Sequence, residues 1–480
     1  MSAAVIFAGV YGMVLGLLFA FGINGYALLW LRRRFEPPRS REPASWPRLA
    51  VQIPVYNERD VVARVIAAAG RLEYPGLLEV QVLDDSDDDT PAVAAAALRE
   101  LERAGVAVDH VRRRDRVGFK AGALEDGLVR TDAELLLILD ADFVPEPDFL
   151  LRTVPYLCEP DVACVQTRWG HLNREHGPLT RGQALGIDVH FLIEQRARAA
   201  AGWTVAFNGS GGVWRRAALE DAGGWSADTL TEDLDLSYRA WLAGWRIVYA
   251  HDVTCPAEIP ERILAFKAQQ RRWARGSTAT ALKLLGRIWR APRSFGAKIQ
   301  ATLHLTHYCV HPLMLMSAAL ALPLGWLGSA GSSWWTILPP LAMATGGPVT
   351  MALVAGADEG LPIGRRLREL GVLMLLGTGL ALSNTLAVIS GALRGGGVFE
   401  RTAKGGRRSS YLSPGDGLGI AEMACAAACA ALAAWLVACG IYTMAPFLVL
   451  YAAGLSRVGI ATLREGWQGR VRSAALEVGV

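Results

Sequence analysis

The feature that constrains this chain most is the placement of its long apolar runs. Residues 3–31 contain no Lys, Arg, Asp or Glu and end directly in Arg32, Arg33 and Arg34. A helix needs about 20 such residues to cross the hydrocarbon core of a bilayer, so this run is long enough for a first span. A cleaved secretory signal would carry its basic residues before the apolar stretch and a small-residue site after it; here the basic residues follow and no such site is present. Because Lys and Arg concentrate in cytoplasmic loops, residue 32 onward is expected in the cytosol and the N-terminus outside. Further apolar runs lie at about 303–326, 334–355, 370–393, 420–441 and 445–463. Counting all six as crossings would put Arg394, Arg401, Lys404, Arg407 and Arg408 outside, against that rule. The run 370–393 is interrupted by Thr378, Ser383, Asn384 and Ser390. Reading it as interfacial or re-entrant leaves five crossings, with that basic loop and the tail bearing Arg464, Arg470 and Arg472 both cytosolic.

Between the first run and the others, about residues 48–277 change character. Short β-rich segments, LAVQIPV (49–55), EVQVLDD (79–85), LLILDAD (136–142) and VACVQ (162–166), alternate with helical patterns near 59–72, 91–104 and 120–129. Such alternation predicts an α/β domain with a mostly parallel sheet, in which ligands gather at the carboxyl ends of the strands. Lys plus Arg number 49 against 45 Asp plus Glu, too small an excess to argue for a nucleic-acid partner. Seven Cys, at 158, 164, 255, 309, 425, 429 and 439, form neither a C-x-x-C pair nor a zinc spacing, which fits a reduced compartment.

Polar residues at the strand ends are therefore the ones to weigh. Asp84-Asp85-Ser86-Asp87-Asp88-Asp89 follows an apolar strand; counted from Asp85 as a calcium loop it has Thr90 and Ala96 where Gly and Glu belong, and a solvated acidic turn is the other alternative. Asp84 and Asp85 sit where a carboxylate can receive a base or ribose. Asp140-Ala141-Asp142 ends the next strand, and alternate residues of an extended segment face the same way, so both carboxylates can serve one site as hard oxygen ligands for Mg2+ or Mn2+. Thr231-Glu232-Asp233 opens an amphipathic run; Thr as a helix cap with acids in the first turn explains the residue types, without excluding Asp233 as a base. Gln269 shares a helix face with Arg272 and Trp273, suited to a diphosphate and a sugar ring, though a basic juxtamembrane helix would look alike. His304, His307 and His311 also share a face, with no carboxylate nearby to complete a metal site.

Taken in order, these motifs resemble family 2 glycosyltransferases with the GT-A fold, and within them the membrane-embedded, cellulose synthase-like branch. Ile53-Pro54-Val55-Tyr56-Asn57-Glu58 resembles the family's opening motif, and Asp84-Asp85, Gly118-Phe119-Lys120-Ala121-Gly122, the Asp140/Asp142 pair, Thr231-Glu232-Asp233 and Gln269 to Trp273 follow in family order. The stretches VQTRWGHLN (165–173), FNGSGGVWRR (207–216) and TEDLDLSYRAWLAGW (231–245) look most like the glucomannan and mannan synthase-like group. Phe399, Thr402 and Lys404 are similar to a cellulose synthase gating loop, with Arg401 in place of its Val.

The resemblance implies an α/β GT-A domain, Rossmann-like and mostly parallel, inserted in a transmembrane helical bundle. Its expected divisions are an N-terminal span (1–34), the cytosolic transferase domain (48–277), an interfacial amphipathic segment (278–299), two spans (300–356), the interfacial or re-entrant segment with the gating loop (367–412), two spans (419–464) and a cytosolic tail (465–480). It implies a plasma (inner) membrane enzyme whose Pro54, Glu58, Asp84, Asp85, Lys120 and Asp140 bind the donor. Asp140 and Asp142 would hold Mg2+ or Mn2+, and Asp233 would be the general base. Gln269, Arg272 and Trp273 would serve the leaving group and acceptor. The implied reaction is inverting hexose transfer from GDP-mannose or UDP-glucose to a growing β-linked polysaccharide, processive and coupled to export. Single transfer to a membrane lipid, as in ceramide glucosyltransferase-like enzymes, is the alternative; a transporter or scaffold with a dead transferase domain is disfavoured by the intact carboxylates. The expected partners are the nucleotide sugar, a glycan or lipid acceptor and the bilayer.

Overall fold

The computed structural model describes residues 3–327, 334–394 and 416–477. Phe399, Thr402 and Lys404 lie outside the described residues.

Helix α1 (Ala3–Leu31) leads into an α/β domain whose strands are β1 (Leu49–Val55), β2 (Leu78–Asp84), β3 (Ala107–Arg112), β4 (Leu135–Ile138), β5 (Val162–His171), β6 (Gly212–Arg215) and β7 (Arg246–Ala257). They form one sheet in the order β3-β2-β1-β4-β6-β5-β7. The pairs β1–β2, β1–β4, β2–β3 and β5–β7 are parallel, whereas β6 runs antiparallel to both neighbours. Helices α2 (Val62–Ala69), α3 (Thr90–Arg103), α4 (Phe119–Arg130), α5 (Phe149–Thr153), α6 (Pro178–Val189), α7 (Arg196–Ala200), α8 (Arg216–Asp221) and α9 (Glu232–Ala243) complete the domain. α2, α3 and α5 bury one face of the sheet, and α4, α8 and α9 the other. That two-sided cover is why β1 reads as a near-continuous apolar run and is buried along almost its whole length. The pattern near 59–72 yields a helix three residues shorter at each end. Asn57 takes a positive φ of 54°, and the Glu58 carbonyl accepts from the Val61 and Val62 N–H groups, so the chain turns once before helix begins.

Beyond the sheet come α10 (Ile263–Arg290), α11 (Phe295–Leu305), α12 (Val310–Trp326), α13 (Trp334–Asp358), α14 (Ile363–Gly379), α15 (Ala381–Arg394), α16 (Gly419–Ala438) and α17 (Ala445–Glu477). Among the described residues, four helical stretches are long and apolar enough to cross a membrane: Val5–Arg34, His307–Trp326, Gly419–Ala438 and Ala445–Arg470. α14 and α15 reach that length only as a pair, bent by 49° between them. α13 packs along α1, where Gly22 and Gly25 face Ala344 and Gly347, small residues that let two backbones approach closely.

The run beginning near residue 303 is broken: α11 stops at Leu305, His307–Cys309 form a 3-10 turn, and α12 starts at Val310. The face predicted to carry His304, His307 and His311 is therefore not continuous. His304 Nδ1 lies 2.8 Å from the Tyr238 hydroxyl and His311 Nε2 lies 2.9 Å from Asn384 Nδ2, so these side chains are used in packing the helices together. Among the described residues no group of three or more His, Cys, Asp or Glu could hold a metal unaided.

Candidate active site

Parallel register puts Val55 of β1 opposite Asp84 of β2, and β4 alongside β1, so the loops after all three strands open at one edge. A cavity of about 1260 Å3, counting its open mouth, lies there between the sheet edge and helices α9 and α10. It is lined by Pro54, Tyr56, Glu58, Asp85, Lys120, Asp140, Asp142, Glu232, Asp233, Gln269, Arg272 and Trp273 among others. Residues far apart in the sequence thus meet in one cleft.

Asp84 departs from the expectation. It is fully buried beneath the cavity, accepting from the Ser86 N–H at 2.9 Å and lying 2.9 Å from His110 Nε2. Burial raises its pKa, but the hydrogen bonds from His110 and Ser86 outweigh that and hold the carboxyl below its ordinary value. The side chain shapes the loop and does not line the cavity. The acidic run that follows is a built turn: Asp87 and Asn57 exchange two hydrogen bonds, and Asp88 accepts from the Thr90 N–H at 2.8 Å where α3 starts. Asp85, one residue beyond Asp84, does face the cavity. Both its oxygens are gripped by Arg113, through Nε at 2.7 Å and through Nη2, and Arg113 also donates to the Val117 and Phe119 carbonyls. Nearby, the Arg116 guanidinium lies 3.2 Å from the centroid of the Tyr56 ring. The basic cluster at 112–116 was the available signal for Arg113 and Arg116, but nothing local says which carboxylate or ring they reach.

Lys120 is at the centre of the cleft, set by the left-handed turn at Gly118 (φ 75°) that starts α4. Its Nζ donates to Asp140 Oδ1 at 2.6 Å and to the Gly209 carbonyl at 2.8 Å, with Glu232 Oε1 at 3.7 Å. Burial lowers its pKa, but the Asp140 and Glu232 carboxylates more than offset this and hold it above the ordinary lysine value. Asp140 follows β4, its N–H donating to Ser210 Oγ at 2.9 Å, and its side chain is 36% exposed toward the cavity. Asp142 is nearly buried, with Oδ2 accepting from the Glu258 N–H at 3.1 Å. Two carboxylates, with no third protein ligand among the described residues, suit a hard divalent cation that takes its remaining ligands from substrate phosphates.

The opposite wall begins at Asp233 in the first turn of α9. The predicted capping alternative fails locally: Thr231 makes no side-chain cap and its hydroxyl instead meets Thr280 Oγ1 at 3.2 Å. Asp233 Oδ1 accepts from the Leu234 N–H at 2.8 Å. Burial, followed by the neighbouring Glu232 charge, raises its pKa to about 7, with Lys120 acting in the other direction. A carboxylate that titrates near neutrality is suited to accept and release protons at that pH. Gly209 closes this corner with φ 86°; a Cβ there would lie 2.9 Å from Asp233 Oδ2 and 3.4 Å from Lys120 Nζ. Its requirement was not assigned from sequence, although FNGSGG marked the loop. On α10, Arg272 has its pKa lowered by burial, countered by the charges of Glu232, Asp140 and Asp233, which places it in the field of the same carboxylates. Trp273 packs beside Tyr308, Ala387 and Val388 at the base of the membrane helices, and Tyr308 donates to Gln270 Oε1 at 3.0 Å.

Residues 47–276 match the family model described as glycosyltransferase like family 2. The chain is 42% identical over 268 residues to a probable glucomannan 4-beta-mannosyltransferase 6 of Oryza sativa subsp. japonica, a match covering 54% of this chain and 46% of that protein. It is 41% identical over 270 residues to glucomannan 4-beta-mannosyltransferase 2 of Arabidopsis thaliana, covering 54% and 50%. The chain spans about half the length of the curated relatives it matches. Among solved structures, a mannosyltransferase from Pyrobaculum calidifontis, solved with GDP-Man and Mn2+, superposes with a TM-score of 0.52 at 22% identity, covering 80% of this chain and 99% of that one. Sheet order, cleft position and family match agree: residues 47–276 are a family 2 glycosyltransferase domain with the GT-A fold.

Proposed function

We propose that the protein is an inverting, metal-dependent hexosyltransferase that moves mannose or glucose from GDP-mannose or UDP-glucose onto a β-linked polysaccharide. GDP-mannose is the first donor to test, in view of the names of the relatives. The observation that carries the reading is Asp233, a carboxylate with its pKa near 7, facing the Asp140/Asp142 pair across one cleft. In this reading the Arg113–Asp85 loop and Tyr56 receive the nucleoside, and Asp140 and Asp142 hold Mg2+ or Mn2+. The cation, when bound, offsets negative charge on the departing diphosphate. Asp233 takes the acceptor hydroxyl's proton at its carboxylate. Lys120, Gln269 and Arg272 donate toward the diphosphate, and Trp273 offers a flat apolar surface to the acceptor sugar. A single displacement on an α-linked donor gives a β-linkage. The helices above Trp273 suit repeated transfer with outward passage of the product, and a cytosolic domain with residue 400 on the same side follows from the basic loops.

The test is the purified full chain in lipid nanodiscs, given labelled GDP-mannose or UDP-glucose, Mn2+ and a β-mannan primer. Label is expected to enter a β-linked glycan. Label found only in lipid-extractable product, or no release of nucleoside diphosphate from either donor, overturns the reading.

A further inference from the structure

Helix α10 carries two sets of residues on opposite faces. At 100° per residue, Gln269, Arg272 and Trp273 fall on the face toward the cleft, and Lys267 and Arg271 on the other. Lys267 is completely buried. Its Nζ lies 2.7 Å from Asp416 Oδ2, 2.6 Å from Glu422 Oε1 and 3.2 Å from Thr462 Oγ1, while Arg271 Nη1 lies 2.7 Å from the same Asp416 oxygen. Asp416 lies three residues before α16, Glu422 is in its first turn, and Thr462 is on α17. One turn further along α17, Glu465 accepts from the Ile263 N–H at 2.9 Å and the Leu264 N–H at 3.1 Å, the open end of α10. A helix N-terminus presents N–H groups without intrahelical partners, and a carboxylate there both satisfies them and matches the helix dipole.

Glu465 therefore fixes α10 along its axis, and the Lys267 cluster fixes its rotation. Removing one partner of a buried ion pair leaves the other uncompensated, so a buried lysine is held tightly to its carboxylates. We propose that Lys267 and Glu465 are positioning residues: through them the transmembrane hairpin α16–α17 sets where Gln269, Arg272 and Trp273 stand in the cleft. The donor carboxylates belong to the sheet edge and lie outside this clamp. The proposal rests on the glycosyltransfer reading of that cleft.

Lys267→Met, Lys267→Arg and Glu465→Gln, each made in the full chain in nanodiscs, test it through Tm, donor dissociation constant, kcat and acceptor KM. A misplacement of about 1 Å can cost about 10²-fold in rate, so Lys267→Met is expected to lower kcat by about 10- to 100-fold and Glu465→Gln by less, with donor affinity falling much less than kcat because the carboxylates of the sheet edge still hold the donor. Lys267→Arg, which keeps the charge pairing, recovers most of the loss. Wild-type kcat in either folded variant overturns the proposal, as does a parallel loss of donor affinity. If Lys267→Met does not fold, Glu465→Gln decides alone by the same two criteria. Absence of transfer in the wild type refutes the glycosyltransfer reading instead, which the variants cannot do.

Discussion

Two walls face each other across the cleft on different supports. The sheet-edge wall, with Asp85, Asp140 and Asp142, hangs from strand ends: Asp85 N–H donates to the Val55 carbonyl, Asp140 N–H to Ser210, and Glu258 N–H to Asp142. These three contacts lie within the α/β domain or directly after its last strand. The helical wall, with Asp233, Gln269, Arg272 and Trp273, stands on α9 and α10, and α10 is fastened to α16 and α17. Donor binding and transfer should therefore be separable by mutation, because one wall is anchored locally and the other by the membrane helices.

The largest separation is expected from Asp233→Asn. Loss of general-base assistance is worth about 10² to 10⁴ in rate. Donor affinity and Tm should stay near wild type, as read by turnover beside nucleotide-sugar binding; equal losses in both would merge the two walls into one unit. Metal removal acts on the other wall: EDTA should abolish turnover, and Asp142→Asn should raise the Mn2+ concentration needed for half activity. Undiminished activity in EDTA would remove the metal from the account. Gly209→Ala affects the corner where the walls meet. The left-handed backbone costs about 1–2 kcal/mol for an Ala, and the added Cβ pushes on Asp233 and Lys120 together, so kcat should fall by about 10- to 100-fold.

The pH dependence is milder. With Asp233 raised to about 7, its active deprotonated form is lost as pH falls through neutrality, so kcat should drop below about pH 7 while donor affinity changes less. For stability the sign is opposite. The folded-state pKa lies above the unfolded value, so this group's contribution is full below the ordinary carboxylate range and declines as pH rises to about 7. Asp233→Asn should flatten both curves. The smallest effect on activity is expected from Asp84→Asn, which disturbs the His110 contact and costs about 1–3 kcal/mol of stability. Asp85→Asn should instead weaken donor binding. Reversal of those two results would return Asp84 to the donor site.

The contrast between the walls also decides what the sequence could reveal. Strand ends were legible because apolar runs stop abruptly at Asp84 and Asp140, and parallel topology then brings them to one edge. What the run of Asp residues could not show is which carboxylate turns inward; His110 on β3 and Arg113 beyond it settle that from about 26 and 28 residues away. Thr231 had the composition of a cap, but Thr280 on α10 takes its hydroxyl, a contact with no local signature. The α11–α12 break was invisible because Thr306 is an ordinary residue, and one apolar run covers both sides of it. Lys267 looked like another cation of a juxtamembrane helix, since its partners lie about 150 to 195 residues further along the chain.

The most direct test of the central claim is the anomeric configuration of the first sugar transferred, read from the one-bond carbon–proton coupling at the anomeric carbon when an α-linked nucleotide sugar is supplied. One base, Asp233, and one displacement give a β product. An α product from the same donor would contradict the single-displacement account and the role given to Asp233.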